Sequence, residues 1–208
     1  MSRHRSREER VQEILRAALE EIEARGVPGL TMEGVAARTT LSKGGVYRYF
    51  PGKEALVLAL FEDAARREVD FDLAAVVSWG LPLRDTLVAL LVRERADGAR
   101  QRARRVWLQL LPESLYKETF RTTKARLEAI YTAKYRALIL ELVARDGLRL
   151  RPGWEHPLDL AIQMGSTFKE GLTYRVLTGL SPDEADAQFL RFMDMGLRAI
   201  LEDDDANA

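Results

Sequence analysis

The chain has 208 residues, 32 Lys+Arg against 32 Asp+Glu, 47% hydrophobic residues and no cysteine. That apolar content can fill a sizeable core and is not a disordered composition. The lack of cysteine excludes disulfides, thiolate metal sites and cysteine nucleophiles, and two histidines, His4 and His156, are too few for a histidine metal cage.

The N-terminal MSRHRSREER has no apolar segment behind its charges, which does not fit a signal peptide. No uncharged apolar run nears the ~20 residues that span a bilayer. A cytoplasmic protein without membrane contact is expected. Residues 1–53 hold ten Lys/Arg and seven Asp/Glu, whereas the remainder is acidic in the same measure and carries Glu202-Asp203-Asp204-Asp205. A basic beginning and an acidic end suit a protein that docks on phosphates at one end only, although so small an excess also arises by chance.

Along the chain, Val11, Ile14, Leu15, Ala18, Leu19 and Ile22 mark one face of an amphipathic helix that ends at Gly26. Thr31 can cap a short helix from Met32 to Thr39, and Ser42 a second one from Lys43 to Tyr49, stopped by Pro51-Gly52. Lys53 opens a longer helix with Leu56, Ala59, Leu60 and Ala64 on one face. Trp79-Gly80-Leu81-Pro82 reads as a loop, and helical patterns resume over 83–97, 102–111, 114–145, 157–178 and 183–202. Breaks fall at Gly147–Gly153 and at Gly179–Pro182; in the second, Ser181-Pro182-Asp183-Glu184 forms a cap with proline at the first helical position. No strand is predicted. The fold class is all-α, with about nine helices.

Two short helices behind a long one, joined by a turn of about three residues, follow helix-turn-helix grammar. The segment Ser42-Lys43-Gly44-Gly45-Val46-Tyr47-Arg48-Tyr49-Phe50 places two poor helix formers near a helix start. Close approach to a DNA backbone is one reason to keep them. Lys43, Tyr47, Arg48, Tyr49 and Lys53 supply donors for phosphate oxygens, while Val46 and Phe50 are spaced to face the core. Spacing alone fits equally a plain helix hairpin with a solvated polar face.

The stretch from Val11 to Phe61 resembles the N-terminal domain of TetR/AcrR-type one-component transcriptional regulators. The residues that carry the resemblance are Thr31-Met32-Glu33-Gly34-Val35-Ala36 and Leu41-Ser42-Lys43-Gly44-Gly45-Val46-Tyr47-Arg48-Tyr49-Phe50-Pro51-Gly52-Lys53-Glu54-Ala55-Leu56. It implies a three-helix DNA-binding domain at 1–52 and a helical ligand-sensing and dimerisation domain at 53–208. Ser42, Lys43 and Gly44 would then lie nearest base edges in the major groove. Thr31, Tyr47, Tyr49 and Lys53 would hold phosphates, and Arg48 would make a further contact. Thr39-Thr40 departs from the Ala-Gly usual in the family's turn, and a β-branched residue in a left-handed conformation there would cost roughly 1–2 kcal/mol.

The same resemblance implies dimerisation through the last two long helices. Ile162 and Gly165 on one stripe, and Phe189, Phe192, Met193, Gly196 and Ile200 on the other, are the interface candidates. The stripes by themselves equally suit packing within one chain. Trp107, Leu111, Tyr116, Phe120, Tyr131, Tyr135, Met164, Phe168 and Tyr174 are candidates to line an effector cavity, although aromatics at helical spacing are more often plain core. Gln109, Gln163, Thr167 and Lys169 are polar candidates in the same stretches, and Arg93, Arg95, Arg100, Arg102, Arg104 and Arg105 read as a solvated basic run.

The expected partners are double-stranded DNA with a roughly palindromic operator, an unidentified small-molecule effector and a second copy of the chain. No cofactor, metal or catalytic residue is expected. Two rivals remain. A helical carrier or enzyme with a helix-turn-helix-like hairpin is opposed by the absence of a Glu-x-x-His pair, a Gly-x-Ser-x-Gly elbow and a phosphate loop. An architectural DNA binder is opposed by the neutral net charge.

Overall fold

The computed structural model describes residues 6–153 and 157–202. His4, His156 and Asp203–Asp205 lie outside the described residues. Within them the secondary structure is helical apart from one isolated bridge. There are eleven helices, against the nine or so expected. The surplus is short: Leu73–Val77 is a single turn, and the stretch expected to run unbroken over 114–145 divides at Lys117, whose φ of −120° and ψ of 120° are extended.

Contacts group the chain into two compact units, 1–67 with 102–124, and 68–101 with 125–208, a division that does not fall at residue 52. The first unit begins with α1 (Arg7–Gly29), entered through a capping box in which Ser6 and Glu9 each bond the other's backbone N–H. Ile14, Leu15, Ala18 and Ile22 are buried as the period predicts. Gly26, at φ 69°, ends the regular helix, as a left-handed residue does most easily when it has no Cβ. Then follow α2 (Met32–Ala37), α3 (Lys43–Tyr47) and α4 (Lys53–Glu68). Most of α7 (Gly98–Leu110), α8 (Glu113–Tyr116) and the first turns of α9 (Glu118–Arg145) complete this unit. Phe61 of α4 is fully buried, stacked on Trp107 at 4.1 Å between centroids and tilted against Phe120 at 5.5 Å.

The second unit holds α5 (Leu73–Val77), α6 (Leu83–Ala96), the rest of α9, α10 (Pro157–Leu177) and α11 (Pro182–Ile200). Its core joins Val76, Leu83, Leu90, Leu138, Leu142, Leu158, Ile162 and Ile200. Asp146 accepts from the Leu83 N–H at 2.7 Å and so caps the start of α6, where Pro82 offers no side-chain acceptor. Arg100, expected on a solvated face, is buried and donates to the Asp70 carbonyl. The break before α10 is pinned to the end of α11. Leu150 and Leu201 form an antiparallel bridge, and the Arg151 guanidinium donates to the Leu201 carbonyl at 2.6 Å. At the turn between α10 and α11, Ser181 and Glu184 form a second capping box behind Pro182.

Candidate functional site

In the first unit α3 is short and built to show one face. Ser42 accepts from the Gly45 N–H at 3.1 Å, and Thr31 caps α2 in the same way through the Gly34 N–H at 3.0 Å. Val46 and Phe50 are buried, which leaves Ser42, Lys43, Gly44, Tyr47 and Arg48 exposed and Tyr49 and Lys53 half-buried. The two glycines differ. A Cβ on Gly45 would crowd the Leu41 Cβ at 3.2 Å, whereas one on Gly44 would meet nothing nearer than the Ser42 hydroxyl at 4.0 Å. Gly44 therefore has no internal steric reason to lack a side chain.

Both lysines of this surface rest on acceptors of their own chain. Lys43 donates to Glu33 and lies 5.9 Å from the Tyr47 ring centroid. That hydrogen bond, with the attraction between the charges, holds the Glu33 carboxyl below its ordinary range and raises the Lys43 ammonium above its own. Lys53 donates to the Pro28 carbonyl at 3.0 Å.

The turn before α3 is held by a residue that pattern reading passed over. Glu13 of α1 is buried and accepts from both the Thr40 N–H and the Thr40 hydroxyl at 2.7 Å. Arg10 in turn bonds both Glu13 and Thr40. The strain expected of Thr39-Thr40 is absent, since no non-glycine residue among those described has positive φ. Thr39 caps the turn instead, giving its hydroxyl proton to the Ala36 carbonyl and accepting from the Leu41 N–H. About two turns further along α1, Glu21 is buried and binds Arg38 at 2.9 Å. A Cβ on Gly34 would lie 2.6 Å from the Glu21 carboxylate carbon, so that position must be glycine for Glu21 to sit there. Glu13, Ala17 and Glu21 form an i, i+4 row beside the apolar stripe, which was the available signal.

The nine cavity candidates do not assemble into one pocket. Trp107 and Phe120 belong to the aromatic core of the first unit, where Leu111 is half-buried; Tyr116 is 84% exposed. In the second unit Tyr174 is 62% exposed, and Met164 and Phe168 line the outer face of α10 and α11. Of the nine, only Tyr131 and Tyr135 line a half-open pocket of about 110 Å³, together with Glu94, Ser166, Lys169 and apolar residues of α6, α9, α10 and α11. Of the polar candidates, Lys169 reaches this cavity.

The interface candidates also divide. Ile162 and Ile200 are buried in the second unit's own core and also reach the floor of an apolar groove along α10 and α11. Gly165, Phe189, Phe192, Met193 and Gly196 line the same groove, of about 340 Å³. Leu160, Met164 and Met195 edge that groove and are 58%, 53% and 71% exposed. The apolar stripe of each helix is wide enough to serve two directions, and period alone does not assign its residues between them.

Among the described residues no helix is long and apolar enough to cross a membrane, and no cluster of three His, Cys, Asp or Glu is placed to hold a metal. Residues 14–60 match the model of the bacterial regulatory proteins of the tetR family. Comparison with curated proteins gave no match. Among solved structures, the regulatory protein TetR from Rhodobacter sphaeroides shares 23% identity at a TM-score of 0.69, over 91% of this chain and 97% of its own. SmeT, the repressor of the Stenotrophomonas maltophilia multidrug efflux pump SmeDEF, shares 19% at 0.66, over 93% and 91%. A transcriptional regulator from Saccharomonospora viridis, solved in complex with choline, shares 22% at 0.68, over 94% and 100%. Likeness at such identity carries the fold.

Proposed function

We propose that this chain, whose N-terminal region belongs to the tetR family of bacterial regulatory proteins, is a sequence-specific DNA-binding transcriptional regulator. In this reading it acts in the cytoplasm as a homodimeric repressor and leaves a palindromic operator when a small molecule binds. The observation that supports it most directly is the outer face of α3, where Lys43, Gly44, Tyr47 and Arg48 stand exposed on a helix anchored by Val46 and Phe50.

Residues 1–52 bind DNA. Ser42, Lys43 and Gly44 approach base edges, and the open side of Gly44 lets backbone come close. Thr31, Tyr47, Tyr49 and Lys53 hold phosphates and fix register. The lysines exchange their internal acceptors for DNA: Lys53 leaves the Pro28 carbonyl, and Lys43 leaves Glu33.

Residues 53–208 dimerise and sense. Packing α10 and α11 against the same helices of a second copy covers Leu160, Met164 and Met195 and forms a four-helix interface. A two-fold dimer presents two copies of α3 to two half-sites, hence the palindrome. A small molecule shifts the equilibrium only through its differential affinity for the DNA-competent and DNA-incompetent states. The repressor and choline-bound proteins of like fold support the repression and small-molecule parts of this reading.

Selection of duplexes from a random pool, followed by anisotropy titration at several salt concentrations, tests it. A palindromic sequence bound far more tightly than scrambled DNA is the expected result. Tyr47→Ala and Lys53→Ala weaken binding to all sequences, and Lys53→Ala lowers the salt slope by about 1. Lys43→Ala changes the preferred sequence. Equal binding to every duplex would overturn the reading and favour a carrier or an architectural protein.

A further inference from the structure

The two short helices of the DNA-binding region carry one charged residue each. Glu33 is the single charge of α2 and Lys43 the single charge of α3. Lys43 Nζ donates to the Glu33 carboxylate and lies over the Tyr47 ring. Both side chains are more than half exposed. Their hydrogen bond and mutual attraction keep both groups charged. An acid thus stands on the surface that meets phosphates, bonded to the first residue of the recognition helix. For phosphate binding alone that is a disadvantage, because the carboxylate cancels the charge of Lys43 and repels the DNA backbone.

An exposed pair opens at little cost, so the destination of Lys43 decides what its release is worth. A phosphate that takes Lys43 brings a second anion beside Glu33, and the two negative groups oppose each other. A base edge is neutral and escapes that repulsion. Of the edges in the major groove, guanine alone sets two acceptors, N7 and O6, side by side. Adenine places an amino donor beside N7, thymine a methyl group beside O4, and cytosine offers a donor. The Lys43 ammonium is a donor only. Guanine is therefore where it gains most without bringing an anion to Glu33.

We infer that Glu33 is a specificity-determining residue: it bars Lys43 from phosphates and yields it to a guanine in each half-site. Glu33 acts through Lys43, without a base contact of its own. This deepens the DNA-binding reading above and rests on its placement of Lys43 at base edges.

Anisotropy titrations of the full chain test it, with the selected duplex and with scrambled DNA over a range of salt. The variants are Glu33→Gln, Lys43→Ala and the double variant. Glu33→Gln keeps the size of the side chain and removes its charge, and substitutions at two such exposed positions leave the fold intact. Glu33→Gln should bind scrambled DNA several-fold more tightly, with a salt slope steeper by about 1 per protomer as Lys43 takes a phosphate. It should gain less on the selected duplex, and a new selection should show a weaker guanine preference at one position of each half-site. In the Lys43→Ala background, Glu33→Gln should change neither the salt slope nor the base preference. Equal gains on both duplexes, an unchanged slope on scrambled DNA, or a steeper slope that persists without Lys43 would overturn the inference. Lys43→Ala separates the two claims. If it alters the base preference and Glu33→Gln does not, the inference alone falls; if it leaves the preference unaltered, Lys43 reads no base and both fall.

Discussion

The two compact units both bury apolar cores, and they differ in where their buried carboxylates stand. In the first, buried carboxylates do the positioning: Glu13 fixes the turn at Thr40, and Glu21 fixes Arg38 at the end of α2. In the second, apolar stripes pack into a continuous core, and the buried ion pair of Glu94 and Lys169 lies beside a cavity. Directional hydrogen bonds suit a surface that must present particular donors at fixed spacing. Non-directional packing around a cavity suits a unit whose contents and contacts change.

The largest effect that would sharpen this contrast is expected at the aromatic core of the first unit. Phe61→Ala should cost roughly 3–5 kcal/mol in chemical denaturation, because it removes the ring between Trp107 and Phe120. A loss below 1 kcal/mol would mean that those rings do not pack as described. Next, Glu13→Ala should cost about 1–3 kcal/mol by leaving the Thr40 N–H without its acceptor. It should also weaken DNA binding, and Glu13→Gln, which still accepts, should restore much of both. If Glu13→Ala destabilises the protein with no change in DNA binding, the carboxylate serves the fold and not the recognition surface.

A matched pair of caps gives a finer test. Ser42→Ala and Ser181→Ala each remove an N-cap acceptor and should each cost about 1 kcal/mol. Only Ser42→Ala should reduce operator affinity; equal effects on affinity would break the division of labour between the units. The smallest stability effect is expected for Met195→Glu, on the exposed face of α11, at about 0.5 kcal/mol or less for the isolated chain. Sedimentation should nevertheless show a shift from dimer to monomer, and an unchanged dimer would send the interface elsewhere.

What was legible in the sequence follows the range over which each signal acts. The helices and their starts came through because period and caps are local. Thr31, Ser42 and Ser181 each accept the predicted backbone N–H. The break at Lys117 did not, because apolar residues on both sides keep the helical period across it. The sides of α10 and α11 were not separable either. Ile162 and Gly165 share one stripe and both line the groove, yet only Ile162 is also buried in the core. Tyr135 stood out in the sequence as an aromatic residue but its partner Glu94 did not, since their contact joins residues 41 positions apart.

Gly34 carries a consequence for how this sequence can vary. Any side chain there meets the Glu21 carboxylate, so a replacement at 34 must displace that carboxylate from its present place beside Arg38. A shorter residue at 21 would open the space, but it would also release Arg38. Positions 21, 34 and 38 are thus one unit of substitution. In a library randomised at all three, survivors should fall into two groups: those that keep glycine with the acid and the arginine, and those that have replaced the whole trio with a smaller, uncharged set.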